Sequence, residues 1–414
     1  MMTPTAVLFA NDPNAKRVLW GMSLFEKILR QLANVGYQRA FLVCENNHHA
    51  KLVRDDFHRW HHIDIIQYSP EQGDINILKQ AAKEAAGHIL VLDASAGYDE
   101  RIFHHVLHKL ENNTDYQLAT PQAHTPTLLA LTPTSIASLP SHATYQTLPL
   151  SLQSLQTEDM DVYIKKMRRQ MVPYAIAINS DSSIEQLEKT CFNSIYKGAT
   201  DLITKFVFPT PVRHFTRWIS HSNITPNQLT YLSMVLSFGA IPLFFMGHFW
   251  PAICMGFAMA FLDTADGKLA RTTLRTSTSG DLLDHVSDTV YLWFWYFGTG
   301  WYFSQGNIFD FESFPTQMTW LLVGTFSIDK VLTGLFKRIY GQELHDYARL
   351  DYIARTLIAR RNPFLACMLL SLIMAKPIVG FYAIALWNAC TFIFHSIRFV
   401  YLPLSGQKHQ SIQI

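Results

Sequence analysis

The stretch DTADGKLAR, residues 263–271, contains two aspartates three residues apart, and two further aspartates, Asp284 and Asp288, follow four residues apart. Side chains separated by three or four residues lie on one face of a helix. We therefore predict that Asp263 and Asp266 share a face of one helix and that the later pair shares a face of the next helix. Two such helices side by side would direct all four carboxylates towards one point.

Uncharged segments around this cluster predict a membrane domain. Residues 228–262 contain no Asp, Glu, Lys or Arg, and a helix needs roughly 20 apolar residues to cross the hydrocarbon core of a bilayer. Turn residues at 247–251 divide this stretch into two spans. Four further spans are predicted at 285–304, 316–337, 362–376 and 378–402. The sequence thus predicts an all-α, six-helix transmembrane domain over residues 228–402.

The basic residues of the loops predict how this domain is oriented. Loops 264–284 and 337–361 carry several Lys and Arg residues, whereas loops 247–251 and 305–315 carry none. Because positively charged loops stay on the cytoplasmic side, both termini are predicted to be cytoplasmic. The N-terminus shows no secretory signal pattern, which agrees with a protein integral to the cell or inner membrane. Residues 403–414 are predicted to be a cytoplasmic tail.

Charge and cysteine content exclude several other classes of function. The formal net charge is +2 and there is no dense Lys/Arg tract, so nucleic-acid binding is not indicated. The five cysteines are scattered without a CxxC pair, which argues against a zinc site or a disulfide framework. We expect reduced cysteines and no nucleic-acid partner.

Four carboxylates gathered at a membrane boundary need a compensating positive charge. An ionised Asp at the centre of a membrane helix costs about 2.5–3.5 kcal/mol. Hard divalent cations prefer carboxylate oxygens, so a metal site built from the four aspartates is predicted. Solvation beside Lys268 and Arg271 would explain any one of these aspartates, but it accounts poorly for the fourfold pattern.

The stretch at 263–271, followed at fixed spacing by Gly280, Asp284 and Asp288, resembles the signature of the CDP-alcohol phosphotransferase family. The resemblance covers about residues 190–402. It implies a six-helix membrane fold that is commonly homodimeric. It also implies transfer of a phosphoalcohol from a CDP-activated donor to an alcohol acceptor, with release of CMP.

The resemblance also implies roles for individual residues. Asp263, Asp266 and Asp284 would hold Mg²⁺ or Mn²⁺, with two metal ions in the site. Asp288 would belong to the metal site and act as the general base on the acceptor hydroxyl. The residues expected to bind the CDP donor are Asn227, Asp263, Gly267, Ala270, Arg271 and Gly280.

Three readings of the function follow from this resemblance. The first is phospholipid biosynthesis, in which the donor is CDP-diacylglycerol and a phosphatidyl group is transferred. The second uses a CDP-inositol-type donor and an inositol phosphate or lipid acceptor. A third, of another class, is a non-catalytic membrane scaffold or transporter, which would have no reason to keep all four aspartates and the glycines.

Several other charged residues in the membrane half are weaker candidates for a functional site. Asp329 and Lys330 interrupt the fourth predicted span, where ionisable residues are functional candidates by default, although the two could simply neutralise one another. Arg360 and Arg361 could bind an acceptor phosphate or a lipid headgroup, and Arg275 is a further candidate for the donor site.

Residues 1–190 predict a separate cytoplasmic domain of the α/β class. Short apolar runs that alternate with helical patterns favour a mainly parallel sheet. The runs are 6–9, 40–43, 63–66, 89–92, 128–131 and 174–178, with helices at 23–35 and 75–86.

This domain resembles the Rossmann-like nucleotidyltransferase domain of bifunctional inositol-phosphate cytidylyltransferase/di-inositol-phosphate-phosphate synthases. The loop after the first strand, residues 11–17, contains no glycine, although an active member would need one to cradle a triphosphate. Lys16 could still meet a phosphate and Asp93 a metal. A degenerate domain that binds a nucleotide, regulates or dimerises is therefore expected.

Residues 191–227 connect the two predicted domains. Within them, residues 205–220 set apolar side chains against Arg213 and Arg217. This pattern is typical of an amphipathic helix that lies at the membrane surface, although an ordinary linker helix would show it as well.

Overall fold

The computed structural model describes most of the 414 residues. The described ranges are 3–45, 53–85, 87–110, 114–118, 127–148, 150–164, 167, 169–198, 200–275, 278–341, 343–346 and 349–404. For residues 278–287, 346, 349 and 403–404 the description covers the backbone alone. The predicted tail therefore lies almost wholly outside the described residues.

The N-terminal half is an α/β domain built on one large sheet. Its strands are β1 (Thr5–Phe9), β2 (Val18–Leu19), β3 (Met22–Ser23), β4 (Arg39–Val43), β5 (Asp64–Tyr68), β6 (Ile89–Asp93), β7 (Ala96–Tyr98), β8 (Tyr116–Leu118), β9 (Leu128–Leu131), β10 (Gln153–Ser154), β11 (Tyr163–Ile164), β12 (Arg169–Gln170) and β13 (Ala175–Ala177). Its helices are α1 (Leu24–Val35), α2 (Phe57–Trp60), α3 (Asp74–Ala82), α4 (Glu100–Lys109), α5 (Pro133–Ser138) and α6 (Asp181–Ser194).

Seven strands form the main sheet in the order β10-β8-β9-β6-β1-β4-β5. Strand β1 pairs in parallel with both β4 and β6, and β4 pairs in parallel with β5, whereas β9 runs antiparallel to β6. The prediction of a mainly parallel α/β sheet is thus confirmed. The apolar run at 174–178 is the exception, because its strand β13 pairs with β7 outside the main sheet.

Helix α1 shows how the local sequence sets the boundaries of an element. The Ser23 hydroxyl accepts a hydrogen bond from the backbone N–H of Glu26, and this N-cap supplies an acceptor for an otherwise unpaired helix donor. At the other end Gly36 adopts φ = 110°, a left-handed conformation that a residue without Cβ tolerates. These two residues place the helix where residues 23–35 predicted it.

The C-terminal half is entirely helical in its described residues, as predicted. After a short π-helix (Ile203–Val207) come α7 (Pro209–Ser220), α8 (Pro226–Phe245), α9 (Phe249–Thr272), α10 (Thr278–Phe303), α11 (Phe314–Tyr340), α12 (Arg349–Ala354), α13 (Arg361–Ile373) and α14 (Pro377–Leu404). Six of these, all except α7 and α12, correspond to the six predicted spans.

Three of the described helices, α8, α11 and α14, are long and apolar enough to cross a membrane. Helices α9 and α10 carry the aspartates, and α13 is apolar but has only 13 residues. The break between α8 and α9 falls at the predicted turn, where Gly247 adopts φ = 75°. The interior packed between the helices of this half is rich in aromatic side chains, including Phe244, Trp295, Tyr296 and Phe364.

Helix α7 packs its apolar face against protein. Val212 and Ile219 are buried, in contact with side chains of α8 and α9, whereas Trp218 on the outer side is 71% exposed. The amphipathic pattern at 205–220 therefore reflects burial in the molecule for several of its apolar residues, whereas Phe206, Val207 and Trp218 are exposed.

One buried carboxyl makes the stability of the α/β domain depend on pH. Burial raises the pKa of Glu100 from 4.5 to about 7. Because the folded state holds this proton more tightly than the unfolded chain does, stability falls as pH rises from 4.5 to about 7. We expect Glu100→Gln to raise the melting temperature at pH 8 by about 4 °C and to change it little at pH 4.

Thermal unfolding of the detergent-purified protein at the two pH values measures this effect. Glu71→Gln, at an exposed position, is the matched control and should leave both melting temperatures unchanged. An equal shift at pH 4 and pH 8 for Glu100→Gln would contradict the assignment.

Candidate active site

Helices α8, α9, α10 and α13 bring the polar residues of the membrane half to one cavity of about 590 Å³. Helix α8 begins at a capping box in which Thr225 and Gln228 bond to each other's backbone N–H groups. This start fixes Asn227 and Thr230 on the first turn and a half of the helix. Both residues line the cavity.

The two ends of the aspartate motif meet at one arginine. Arg361, the first residue of α13, donates to Asp263 Oδ2 at 2.7 Å and to Asp288 Oδ1 at 3.2 Å. It also donates to the hydroxyl of Tyr291 at 2.8 Å, and that hydroxyl donates to Asp288 Oδ1 at 2.5 Å. The predicted convergence of α9 and α10 is thus observed for the pair Asp263 and Asp288.

Asp266 is held from the opposite side, by α8. Its Oδ2 accepts a hydrogen bond from the hydroxyl of Thr230 at 2.6 Å, and the residue is 8% exposed. Thr230 was not predicted as a site residue, because a threonine in an apolar helix has no distinguishing pattern.

The remaining motif residues form the wall of the cavity beside these carboxylates. Gly267, Ala270 and Arg271 all line it. A Cβ on Gly267 would lie 3.0 Å from an Arg271 guanidinium nitrogen, so the glycine leaves room for this arginine to lie along the helix. Gly280 and the side chain of Asp284 fall outside the described side chains.

The donor set of these helices suits a divalent metal. Asp263, Asp266 and Asp288 present carboxylate oxygens to a single cavity, and such oxygens are the usual ligands of Mg²⁺ and Mn²⁺. The side chains that the structure describes contain no group of three or more His, Cys, Asp or Glu arranged to hold a metal ion. The fourth predicted ligand, Asp284, is not among those side chains.

Part of the lining of this cavity, which we call the basic lobe, carries several cations beside the carboxylates of Asp329 and Glu343. Its lining includes Lys330, Lys337, Arg355 and Arg360, together with the imidazoles of His345 and His395. The carboxylate of Asp329 contacts His395 Nδ1 at 2.6 Å.

Below this lobe a buried ion pair joins two further helices. Asp351 of α12 accepts from Arg398 of α14 through both carboxylate oxygens, at 2.5 and 2.8 Å. Both residues are buried. A bidentate pair of this kind holds α12 in place against α14.

The α/β domain contains its own cavity, of about 520 Å³, between β1, β4 and α1. Lys16 lines it together with Glu26 and Arg54, but Asp93 is not among its described lining residues. Asp93 instead accepts bonds from the N–H and hydroxyl of Ser95, and burial raises its pKa. The two predicted nucleotide-site candidates therefore do not face one cavity.

Comparison with known protein families identifies the family of the membrane half. Residues 223–395 match the family model of CDP-alcohol phosphatidyltransferases. These residues are a CDP-alcohol phosphatidyltransferase domain. The predicted family and enzyme class, that of a phosphatidyl or phosphoalcohol transferase, are confirmed for this part of the chain. A comparison with curated protein sequences gives no match.

Several solved structures are similar to somewhat less than half of this chain. The phosphatidylinositol phosphate synthase of Mycobacterium tuberculosis, determined with CDP-DAG bound, is 19% identical over 47% of this chain and 93% of its own, with a TM-score of 0.35. HddC of Yersinia pseudotuberculosis is 12% identical over 45% of this chain and 99% of its own, at 0.32. The inositol-1-phosphate CTP transferase of T. maritima is 7% identical over 46% and 95%, at 0.28.

The hydroxyl that holds Asp266 allows a direct test of the site in the phosphatidyltransferase domain. Thr230→Val removes a hydrogen bond to a buried carboxylate, and such bonds contribute about 1.5–3 kcal/mol. We expect kcat/KM to fall roughly 10- to 100-fold, as measured by CMP release. Thr230→Ser keeps the hydroxyl and should stay within about threefold of the unchanged protein. Equal activity of the Val and Ser variants would show that Asp266 needs no such support.

Proposed function

We propose that the protein transfers a phosphatidyl group from CDP-diacylglycerol to the hydroxyl of an alcohol acceptor, releasing CMP, as a step of phospholipid synthesis. The observation that carries this proposal is the meeting of Asp263 and Asp288 at one cavity that Asn227, Gly267 and Arg271 also line. A charged donor phosphate and a base for the acceptor are thereby brought to the same place.

The reaction is a displacement at the β-phosphorus of the donor. The acceptor hydroxyl oxygen forms a bond to that phosphorus, the bond from phosphorus to the bridging oxygen of CMP breaks, and CMP leaves with the electron pair. Asp288 takes up the hydroxyl proton. Its carboxylate is oriented for this task by the Tyr291 hydroxyl and the Arg361 guanidinium, which both bond to Oδ1 and leave Oδ2 for the proton.

Members of this family generally use divalent metals, and Mg²⁺ or Mn²⁺ held by Asp263, Asp266, Asp284 and Asp288 would supply positive charge to the pyrophosphate. Arg271 adds a planar donor for phosphate oxygens. Gly267 and Ala270, with their small side chains, let the nucleotide approach α9 closely. Asn227 and Gly280 border the same pocket in this proposal.

A lipid donor is favoured by the outer face of α8. This helix lines the cavity with Asn227 and Thr230, while Tyr231, Val235 and Phe238 are exposed on its surface. Their spacing of four and three residues forms one apolar stripe. Acyl chains of a donor bound at the cavity would remain in the bilayer along this stripe.

The basic lobe favours an anionic acceptor, such as a phosphorylated alcohol. Lys330, Lys337, Arg355 and Arg360 face the same cavity as Asp288, so an acceptor phosphate bound there would place a hydroxyl near the base. Arg361, also predicted as an acceptor ligand, instead contacts Asp263 and Asp288.

For the membrane arrangement we propose six crossings, with both termini in the cytoplasm. Support comes from three apolar helices of spanning length, from the three helices packed between them, and from the basic residues within 264–284 and 337–361. A homodimer, common in this family, is part of the same proposal.

Release of CMP tests the proposed reaction. Purified protein in detergent with Mg²⁺ or Mn²⁺ is supplied with CDP-diacylglycerol or CDP-inositol, each against alcohols with and without a phosphate group. We expect CMP from CDP-diacylglycerol and a phosphorylated acceptor, and no release after chelation of the metal. Release only from CDP-inositol would show that the donor is a CDP-inositol and not CDP-diacylglycerol. No release from any pair in folded protein would refute the proposal.

The role of Asp288 has its own test. Asp288→Asn removes the proton acceptor but preserves the size of the side chain, so we expect kcat to fall by at least about 100-fold while the protein stays folded. Asp310→Asn, at an exposed loop position, is the matched control and should be fully active. Turnover within a few fold of the unchanged protein in well-folded Asp288→Asn would disprove the general-base assignment.

A further inference from the structure

The end of the helix that carries the donor-binding motif is held by the α/β domain. Helix α9 ends at Thr272, and its last carbonyl groups have no partner within the helix. Lys27 Nζ donates to the carbonyl of Thr272 at 3.2 Å, and Arg30 Nη1 donates to that of Thr273 at 3.1 Å. Both side chains come from α1, and cations at a helix C-terminus also interact favourably with the helix dipole.

These cations belong to a buried network of charges. Arg30 is fully buried and donates to Glu26 at 2.6 Å and to Asp56 Oδ1 at 3.1 Å. The other oxygen of Asp56 lies 2.5 Å from Arg275 Nε. Arg275 follows the end of α9 by three residues and is itself 4% exposed. The carboxylate of Asp56 therefore pairs with Arg275 directly and, through Arg30, with the end of α9.

The same domain holds the neighbouring helix α7. Arg54 donates to the carbonyls of Ser220 at 3.1 Å and of Ser222 at 3.2 Å, at the end of that helix. Gly21 approaches Ser220 so closely that a Cβ would collide with its carbonyl oxygen. Close packing of backbone against backbone leaves little freedom for the two halves to shift.

An apolar cluster and a further lysine complete the interface. Trp20 and Leu24 of the soluble domain pack in one cluster with Ala260 and Ala265 of α9. Lys268, within the motif, is 3% exposed, donates to the carbonyl of Ile195 at 2.9 Å and lies 3.2 Å from the centre of the Tyr196 ring. The last two turns of α9 are therefore held between the cavity and the rest of the chain.

Some residues of the motif lie against the cavity, and those at its end lie against the α/β domain. Gly267, Ala270 and Arg271 face the cavity, while the carbonyls of the next two residues are bound by α1. A movement of the helix end would displace Arg271 first, because it precedes the anchored carbonyls directly.

We propose that the α/β domain is a positioning component of the transferase site, and that Asp56 and Lys27 act by holding the end of α9 so that Arg271 meets the donor phosphate. This inference rests on the proposed function of the cavity. Asp56 and Lys27 are positioning residues, since they do not line the cavity themselves. The role needs no nucleotide chemistry in the α/β domain.

The first test replaces Asp56 in the full-length protein in detergent. Asp56→Asn removes the charge that pairs with Arg275, so we expect KM for the CDP donor to rise about 10- to 100-fold, with KM for the acceptor unchanged. Asp56→Glu keeps the charge and should restore most of the donor affinity. A donor KM in Asp56→Asn equal to that of the unchanged protein would overturn the proposal.

Two further variants separate positioning from stability. Arg39→Gln removes an ion pair with Glu84 that lies within the soluble domain, away from α9, and should leave the donor KM unchanged. A raised donor KM in this control, equal to that of Asp56→Asn, would show a general effect of destabilisation and overturn the proposal. If Asp56→Asn does not fold, Lys27→Met is measured instead and should give the same rise in donor KM.

A readout without substrate distinguishes failure of this inference from failure of the proposed reaction. Hydrogen–deuterium exchange of residues 266–275 should be faster in Asp56→Asn than in the unchanged protein, and unchanged in Arg39→Gln. If the unchanged protein releases no CMP from any donor, the proposed reaction fails, and the exchange rates alone decide whether the α/β domain holds α9. Equal exchange in Asp56→Asn and the unchanged protein would overturn the anchoring.

Discussion

The pairing of Arg361 with Asp263 and Asp288 is the interaction on which the arrangement of the membrane half depends. Carboxylates in the poorly solvated space between helices repel one another and need positive charge nearby. The guanidinium at the start of α13 supplies it to two helices at once. The same contact joins α9, α10 and α13 around the cavity, so electrostatic compensation and helix packing are achieved by one side chain.

This constraint explains the layout of the cavity. The carboxylates of Asp263, Asp266 and Asp288 and the cations of Lys330 and Arg360 line the same cavity. The buried pair of Asp351 and Arg398 keeps the loop that carries part of the basic lobe against α14.

The α/β domain is connected to this centre by more than a linker. Its helix α1 binds the terminal carbonyls of α9, and Asp56 pairs with Arg275 just beyond that helix. The first loop of this domain lacks the glycines that would cradle a nucleotide phosphate. Its contacts with α9 nevertheless give it a structural role. The proposed positioning role depends on these contacts alone and needs no nucleotide chemistry in the α/β domain.

The sequence by itself determined the family, because the motif has a fixed spacing. It also determined the division into an α/β half and an all-α half, and the placement of Asp263 and Asp266 on one side of a helix, because these depend on local periodicity. It did not indicate Thr230 or the anchoring role of Lys27 and Asp56. Only the tertiary structure decided these, since each acts on a residue far away in the chain and carries no local pattern. Arg361 shows the same limit: its charge marked it as a phosphate ligand, whereas packing places it between the carboxylates that most need a cation.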